Sequence, residues 1–265
     1  MNHRFSDIFR AHRGKVSDKW SSYLPVYDEL FSPFRMSPIR LLEIGVQNGG
    51  SLEVYSKFFP NHEKIVGCDI HPLCARLDYI NPRIQVVVGD CNADATRDRI
   101  FAASDSFDLI IDDGSHRSDD IIRSFLTYFP ALTGGGAFVV EDLSTSYWRA
   151  FDGGLFHTRS SMSFFKLLID VIHAEHWGVE VPAHELITRD FPHYGALAAC
   201  VGLQSIASIA FHNSMCVIRK CETPDQQSLG ARIIRGTDPT VVDVRHWDGT
   251  GPIRSDERGN PNSRF

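Results

Sequence analysis

Between Ile39 and Leu143 the chain alternates short, almost purely apolar runs with longer stretches whose apolar residues recur at helical spacing. The runs "IRLLEIG", "KIVGCDI", "RIQVVVGD", "FDLIIDDG" and "GGAFVVEDL" have strand length and little polar alternation, so each predicts a strand buried on both faces. The intervening "SLEVYSKFF", "ADATRDRIFAA" and "RSDDIIRSFLTYFPAL" predict helices. Strands and helices in alternation predict an α/β fold with a doubly wound, mostly parallel sheet. Farther on, "SMSFFKLLIDVIHAEHW" predicts another helix, and "SIASIAFHN" with "SMCVIRKC" predicts a final antiparallel hairpin turning near Asn213 and Ser214. Before the first strand, "SDKWSSYLPVYDELFSPF" suits one or two short helices. The pattern divides into a helical cap segment (1–38), a central domain (39–221) and a Gly-, Pro- and charge-rich extension (222–265).

Composition narrows the possible functions. Of 265 residues 43% are hydrophobic and 23% charged, the balance of a folded globular protein, and the net charge of −6 argues against a nucleic-acid partner. A small-molecule or glycan acceptor fits better. No apolar run approaches the roughly 18 residues of a membrane span, and the first residues lack the apolar segment of a secretory signal, so a cytoplasmic location is expected. The six cysteines form no C-x-x-C pair, which disfavours disulfides and structural zinc. The long extension makes a homo-oligomer the expected assembly.

In an open parallel sheet the ligand crevice lies at the carboxyl ends of the strands. Here those ends read "EIGVQNGGS", "GCDI", "VVGDCN", "IIDDGSH" and "VVEDLS", and every one carries an acid. The first is a glycine-rich turn into a helix, where the backbone can approach a ligand that a side chain would exclude. It lacks the middle glycine of a dinucleotide fingerprint. Asp69 ends the next strand about twenty residues later, placed to hydrogen-bond a ribose diol, so turn and acid together favour a nucleoside-containing ligand. His116 directly follows an acid pair at this same end of the sheet, and its near-neutral imidazole suits proton transfer.

The ordered set "LLEIGVQNGGSLEVYSKFFP", "IVGCDI", "VVVGDCN", "FDLIIDDGSH" and "GGAFVVEDLSTSYW" resembles class I S-adenosylmethionine-dependent methyltransferases. More narrowly it resembles the metal-dependent sugar O-methyltransferases of the macrocin and mycinamicin type. The resemblance implies that Glu43, Gly45, Gln47, Gly49 and Ser51 surround the methionine part of the methyl donor, that Asp69 holds its ribose, and that Asp90 and Cys91 border its adenine, with Asp112 nearby. Gln47 stands where many class I enzymes have a second glycine. The resemblance also implies a divalent cation on Asp113, Glu141 and Asp142, and all-carboxylate ligation suits Mg2+, or Mn2+ or Ca2+, better than zinc. Glu141 and Asp142 share one ion only if the strand has ended there, since adjacent strand residues face opposite ways. His116 becomes the expected general base, Tyr147 and Trp148 are expected to stack on the acceptor sugar, and Tyr23 and Tyr27 to cover the donor. A methyltransferase of catechol-like or other small hydroxylated molecules, a hydroxylase-like relative, and a non-catalytic cofactor-binding assembly module stay open as alternatives.

Overall fold

The computed structural model describes residues 4–223 and 228–252. Seven strands, β1 (Arg40–Ile44), β2 (Lys64–Asp69), β3 (Ile84–Val88), β4 (Phe107–Asp112), β5 (Leu132–Val140), β6 (Ile206–His212) and β7 (Met215–Lys220), form one sheet in the order β3-β2-β1-β4-β5-β7-β6. The first five pair in parallel, while β7 runs antiparallel to both β5 and β6. β1, β2, β4 and the second half of β5 are buried on both faces because helices cover each side, whereas β3, expected to be buried likewise, is an edge strand in which only Val87 is buried. The covering helices are α1 (Phe5–Ala11), α2 (Tyr23–Phe31), α3 (Gly50–Phe58), α4 (Asp94–Ala103), α5 (Ser118–Tyr128) and α6 (Ser161–Ile172).

Strand parity sorts the core into two layers. Leu42, Ile44, Val66, Ile110, Phe138 and Val140 face α4, α5 and α6, whereas Leu41, Ile65, Leu109, Ile111, Val139 and Val217 face α1, α2 and α3. Phe125 of α5 is fully buried, with the rings of Phe129, Phe138, Phe164 and Phe165 between 5.0 and 5.9 Å away. Truncation of such an aromatic residue costs about 3–5 kcal/mol. In the other layer Phe5, Tyr27, Phe31, Tyr55 and Phe58 form a continuous ring cluster, so the residues ahead of β1 share the sheet's core.

Two details depart from the sequence expectation. β5 begins at Leu132, earlier than the run "GGAFVVEDL", because an irregularity in its pairing with β4 between Phe107 and Leu109 absorbs the glycines. Two short helices, α7 (His184–Asp190) and α8 (Gly195–Ala198), lie in a stretch where no helix is predicted, since neither is long enough to show two turns of apolar spacing. Residues 228–252 run over the surface, tied to the domain through the Leu229 N–H donating to Glu175 Oε1 at 2.6 Å. Among the described residues no helix is long and apolar enough to cross a membrane.

Candidate active site

The strand order reverses between β1 and β4, and at that switch point the loops diverge to leave a cleft of about 470 Å³. One half is shaped by backbone. Gly45 ends β1 with φ +86°, and a Cβ there would lie 2.0 Å from the Asp113 carbonyl oxygen. Gln47 is also left-handed, at φ 45°, a costly conformation for a side-chain-bearing residue and of the kind found at functional sites. Asp69 fixes this turn: its Oδ2 accepts the Val46 and Gln47 N–H groups at 3.0 and 2.7 Å, and its Oδ1 accepts the His71 N–H at 2.8 Å. Oδ2 is saturated by its two donors, whereas Oδ1 keeps lone-pair capacity, and Asp69 lines the cleft with Gly45, Gln47, Ser51, Asp90 and Cys91.

Glu43 and Gly49 are not part of the cleft wall. Glu43 is fully buried behind Ser51, accepting from the Ser51 hydroxyl and, at 2.9 Å, from the Tyr55 hydroxyl. Gly49 instead forms the left-handed entry to α3, its carbonyl accepting from the Tyr79 hydroxyl at 2.8 Å. Asp112 is buried with its carboxylate accepting from Ser124 and the Gly114 N–H, and burial pushes its pKa up to about 7 against those hydrogen bonds.

The other half of the cleft is an acid cluster. Asp113, His116 and Asp142 each offer a ligand atom within 4.8 Å of the others. His116 Nε2 lies 4.0 Å from Asp113 Oδ1 and 3.7 Å from Asp142 Oδ2. Two left-handed residues create this convergence: His116 at φ 57°, its carbonyl accepting from the Thr145 hydroxyl, and Asp142 at φ 51°. The left-handed turn directly after β5 is the strand end that adjacent Glu141 and Asp142 require to serve one site. Glu141 itself is placed differently from the sequence expectation. Strand parity sends it to the α2 face, where it is fully buried, accepts from the Tyr27 hydroxyl and pairs with Lys19 Nζ at 2.7 Å.

Lys19 is the residue the sequence reading missed. Its side chain is 2% exposed, and its Nζ lies 2.6 Å from Asp113 Oδ2, 2.7 Å from Glu141 Oε1 and 3.6 Å from Glu43 Oε1. Burial alone would lower its pKa, but the charges of Glu141, Tyr55, Asp113 and Glu43 outweigh it and hold the ammonium well above its ordinary value. Burial likewise raises Glu43 and Glu141, with Lys19 opposing in both. Three carboxylates around one ammonium leave the site short of positive charge, which favours a cationic ligand. Tyr23 and Tyr27, expected over the donor, are buried and donate to Asp142 and Glu141. Tyr147 and Trp148 are 44% and 56% exposed and do not line the cleft, because the helical turn after Asp142 carries them outward. Trp20 is at the cleft instead, its Nε1 donating to Asp142 Oδ1 at 2.9 Å.

Residues 42–143, which contain all five strand-end loops, match the sequence model of a methyltransferase domain family. This stretch is a methyltransferase domain. The chain is 33% identical over 214 residues to 8-demethyl-8-alpha-L-rhamnosyl tetracenomycin-C 2'-O-methyltransferase of Streptomyces olivaceus, covering 77% of this chain and 52% of that one. It is 37% identical over 160 residues to mycinamicin VI 2''-O-methyltransferase of Micromonospora griseorubida, covering 57% and 39%. Among solved structures it resembles the mycinamycin-pathway methyltransferase MycE in complex with Mg, SAH and mycinamycin VI, with a TM-score of 0.59 and 30% identity over 75% of this chain and 49% of MycE. The chain thus spans about half the length of the relatives it matches.

The site can be compared with the two groups held in the MycE complex, SAH and Mg. The cleft lies within the ordinary volume range of small-ligand sites and is lined by Gly45, whose turn has no room for a Cβ, and by Asp69. Asn92 Oδ1, beside Asp90 and Cys91 in the cleft lining, is buried without a hydrogen-bond partner among the described residues. For the cation, Asp113 Oδ1 and Asp142 Oδ2 converge beside an imidazole, a hard-oxygen donor set suited to magnesium.

Proposed function

We propose that this chain transfers the methyl group of S-adenosylmethionine to a sugar hydroxyl of a glycosylated small molecule, aided by a divalent cation held at Asp113 and Asp142 with Glu141 beside them. One observation carries the reading: an imidazole and two carboxylate oxygens meet at a single point on the rim of the donor cleft. His116 Nε2 accepts the hydroxyl proton as the sugar oxygen attacks the methyl carbon, and the bonding pair of the breaking carbon–sulfur bond stays on sulfur. A cation bound there would supply a lowered hydroxyl pKa. The carboxylates of Asp113 and Asp142 flank the imidazole, 4.0 and 3.7 Å from its Nε2. Asp69 and the glycine turn orient the donor, and orientation plus deprotonation suffice for an in-line displacement. The identities of the relatives support the sugar as acceptor.

The test incubates the purified chain with methyl-labelled S-adenosylmethionine, magnesium and a panel of natural-product glycosides, free sugars and catechols. Label on a glycoside's sugar, lost in EDTA and regained with magnesium, is the expected result. Transfer that persists in excess chelator refutes the metal assignment, label confined to catechols refutes the sugar, and a bound donor that is never turned over refutes the enzyme.

A further inference from the structure

The acid cluster is gripped from behind by one short stretch of chain that lies ahead of the methyltransferase domain. Lys19 Nζ donates to Asp113 Oδ2 at 2.6 Å, Trp20 Nε1 to Asp142 Oδ1 at 2.9 Å, and the Tyr23 hydroxyl to the same Asp142 oxygen at 2.8 Å. The bookkeeping of oxygens is consistent across both residues. Asp113 gives Oδ2 to the grip and turns Oδ1 toward His116, while Asp142 gives Oδ1 to the grip and turns Oδ2 toward His116. Tyr27, one helical turn beyond Tyr23, takes an oxygen of Glu141 in the same way.

The gripping stretch is itself fastened. The Val16 carbonyl accepts the N–H of Gly50 at 3.0 Å, where a Cβ would collide with the Lys15 carbonyl 2.1 Å away. Lys15 pairs with Glu53 on α3. Tyr23 is 1% exposed and its hydroxyl also reaches the Ser214 carbonyl, which fixes the ring from the β6–β7 turn. Carboxylates free to rotate would repel one another and point apart; with one oxygen of each tied, the other is committed to the shared point.

We propose that Lys19 and Tyr23, assisted by Trp20, are positioning residues for the cation site, fixing the inner oxygens of Asp113 and Asp142 so that the outer oxygens converge. The inference rests on the reading of those two acids as cation ligands. It assigns to the region before the domain a part in the chemistry, and it gives the buried ammonium an orienting role in place of that of a rival cation. Outer-sphere partners of this kind change metal affinity by about 10–100-fold when removed.

The experiment measures free Mn2+ by electron paramagnetic resonance in titrations of the full chain, Lys19→Met and Tyr23→Phe, with S-adenosylhomocysteine affinity by calorimetry and thermal unfolding alongside. The expected result is Mn2+ affinity reduced about 10–100-fold in each variant, with Tyr23→Phe keeping its S-adenosylhomocysteine affinity within about threefold. Unchanged or tighter Mn2+ binding in the variants overturns the proposal and makes Lys19 a competitor for the acids. Equal losses of metal and S-adenosylhomocysteine affinity together with a lowered melting temperature also overturn it, since that is the signature of a structural role alone. If Lys19→Met does not fold, Tyr23→Phe decides, because it deletes one hydroxyl and keeps the buried ring. Absence of Mn2+ binding by the parent chain is a different failure: it removes the cation reading itself, and this inference with it.

Discussion

Replacing Gly45 with alanine should damage stability and chemistry together. At φ +86° an L-residue bears roughly 1–2 kcal/mol of strain. The new Cβ would also sit 2.0 Å from the carbonyl oxygen of Asp113, 2.5 Å from its carbonyl carbon and 2.8 Å from the Gly114 Cα. All three are backbone atoms, so no side chain can swing aside. The β4 loop must retreat by about 1 Å to reach the 3.0 Å that real contacts respect, an overpacking cost of roughly 1–3 kcal/mol. Together these give about 3 kcal/mol, or a melting temperature lower by roughly 6–12 °C for a domain of this size. The loop that moves carries Asp113 and leads to His116, and a misplacement of about 1 Å can lower turnover by roughly 10²-fold. Thermal unfolding, Mn2+ titration and single-turnover methyl transfer on Gly45→Ala read each part. Gly154→Ala serves as the control, because its Cβ would meet nothing nearer than His157 Cβ at 3.5 Å. A Gly45→Ala protein with the parent's melting temperature and metal affinity would refute the close approach on which the whole argument depends.

His116→Ala should lower kcat by about 10²–10⁴-fold with S-adenosylhomocysteine binding nearly intact, and a normal single-turnover rate in a less stable protein would make the histidine structural. Asp69→Ala should weaken S-adenosylhomocysteine binding and, because three backbone N–H groups lose their acceptor, also reduce stability, each by roughly 1–3 kcal/mol; unchanged calorimetric affinity would remove Asp69 from the donor site. Away from the cleft, partial burial works to raise the pKa of Asp119, but the Tyr194 hydroxyl and Arg123 prevail and lower it. A carboxylate lowered in the folded state stabilises above its unfolded pKa, near 4, and that contribution disappears as pH falls below it. Asp119→Asn should therefore lower the melting temperature at pH 7 and converge with the parent in acid; a gap that stays constant with pH would contradict the assignment.

The parallel strands were legible because strands buried on both faces leave unbroken apolar runs, and β3, exposed at the edge, was legible from its run of valines alone; the cleft lies at the strand ends, where the geometry of parallel sheets puts it. The acids at those ends were legible for the same reason: a strand announces where it stops. Parity also carried information that went unused, since counting from Val139 places Glu141 on the α2 side. Lys19 was hidden by its chemistry. A lysine in a polar loop is by default a solvated charge, and its burial here depends on Asp113 and Glu141, far along the chain. The nearest local signal was "DKW" followed by Tyr23 and Tyr27 four residues apart, a polar tip repeated along one helix face. That Tyr147 and Trp148 lie outside the cleft lining was not legible, because the left-handed Asp142 that redirects the chain leaves no trace in residue type.

The grip of Lys19 and Tyr23 on the strand ends also bears on how the protein is born. Lys19 and Tyr23 are made ahead of their partners: Asp113 comes 94 positions after Lys19, and Ser214 comes 191 after Tyr23. The glycine turn and Asp69 are separated by only about two dozen residues and can close on each other as soon as β1 and β2 pair. A growing chain can therefore form the turn held by Asp69 well before Asp113 and Asp142 can be gathered, while α2 already has Phe5 and the rings of α3 to cover its apolar face. The acid cluster is thus the part of the cleft whose assembly depends on contacts of long sequence separation, and the turn beside it is the part that does not.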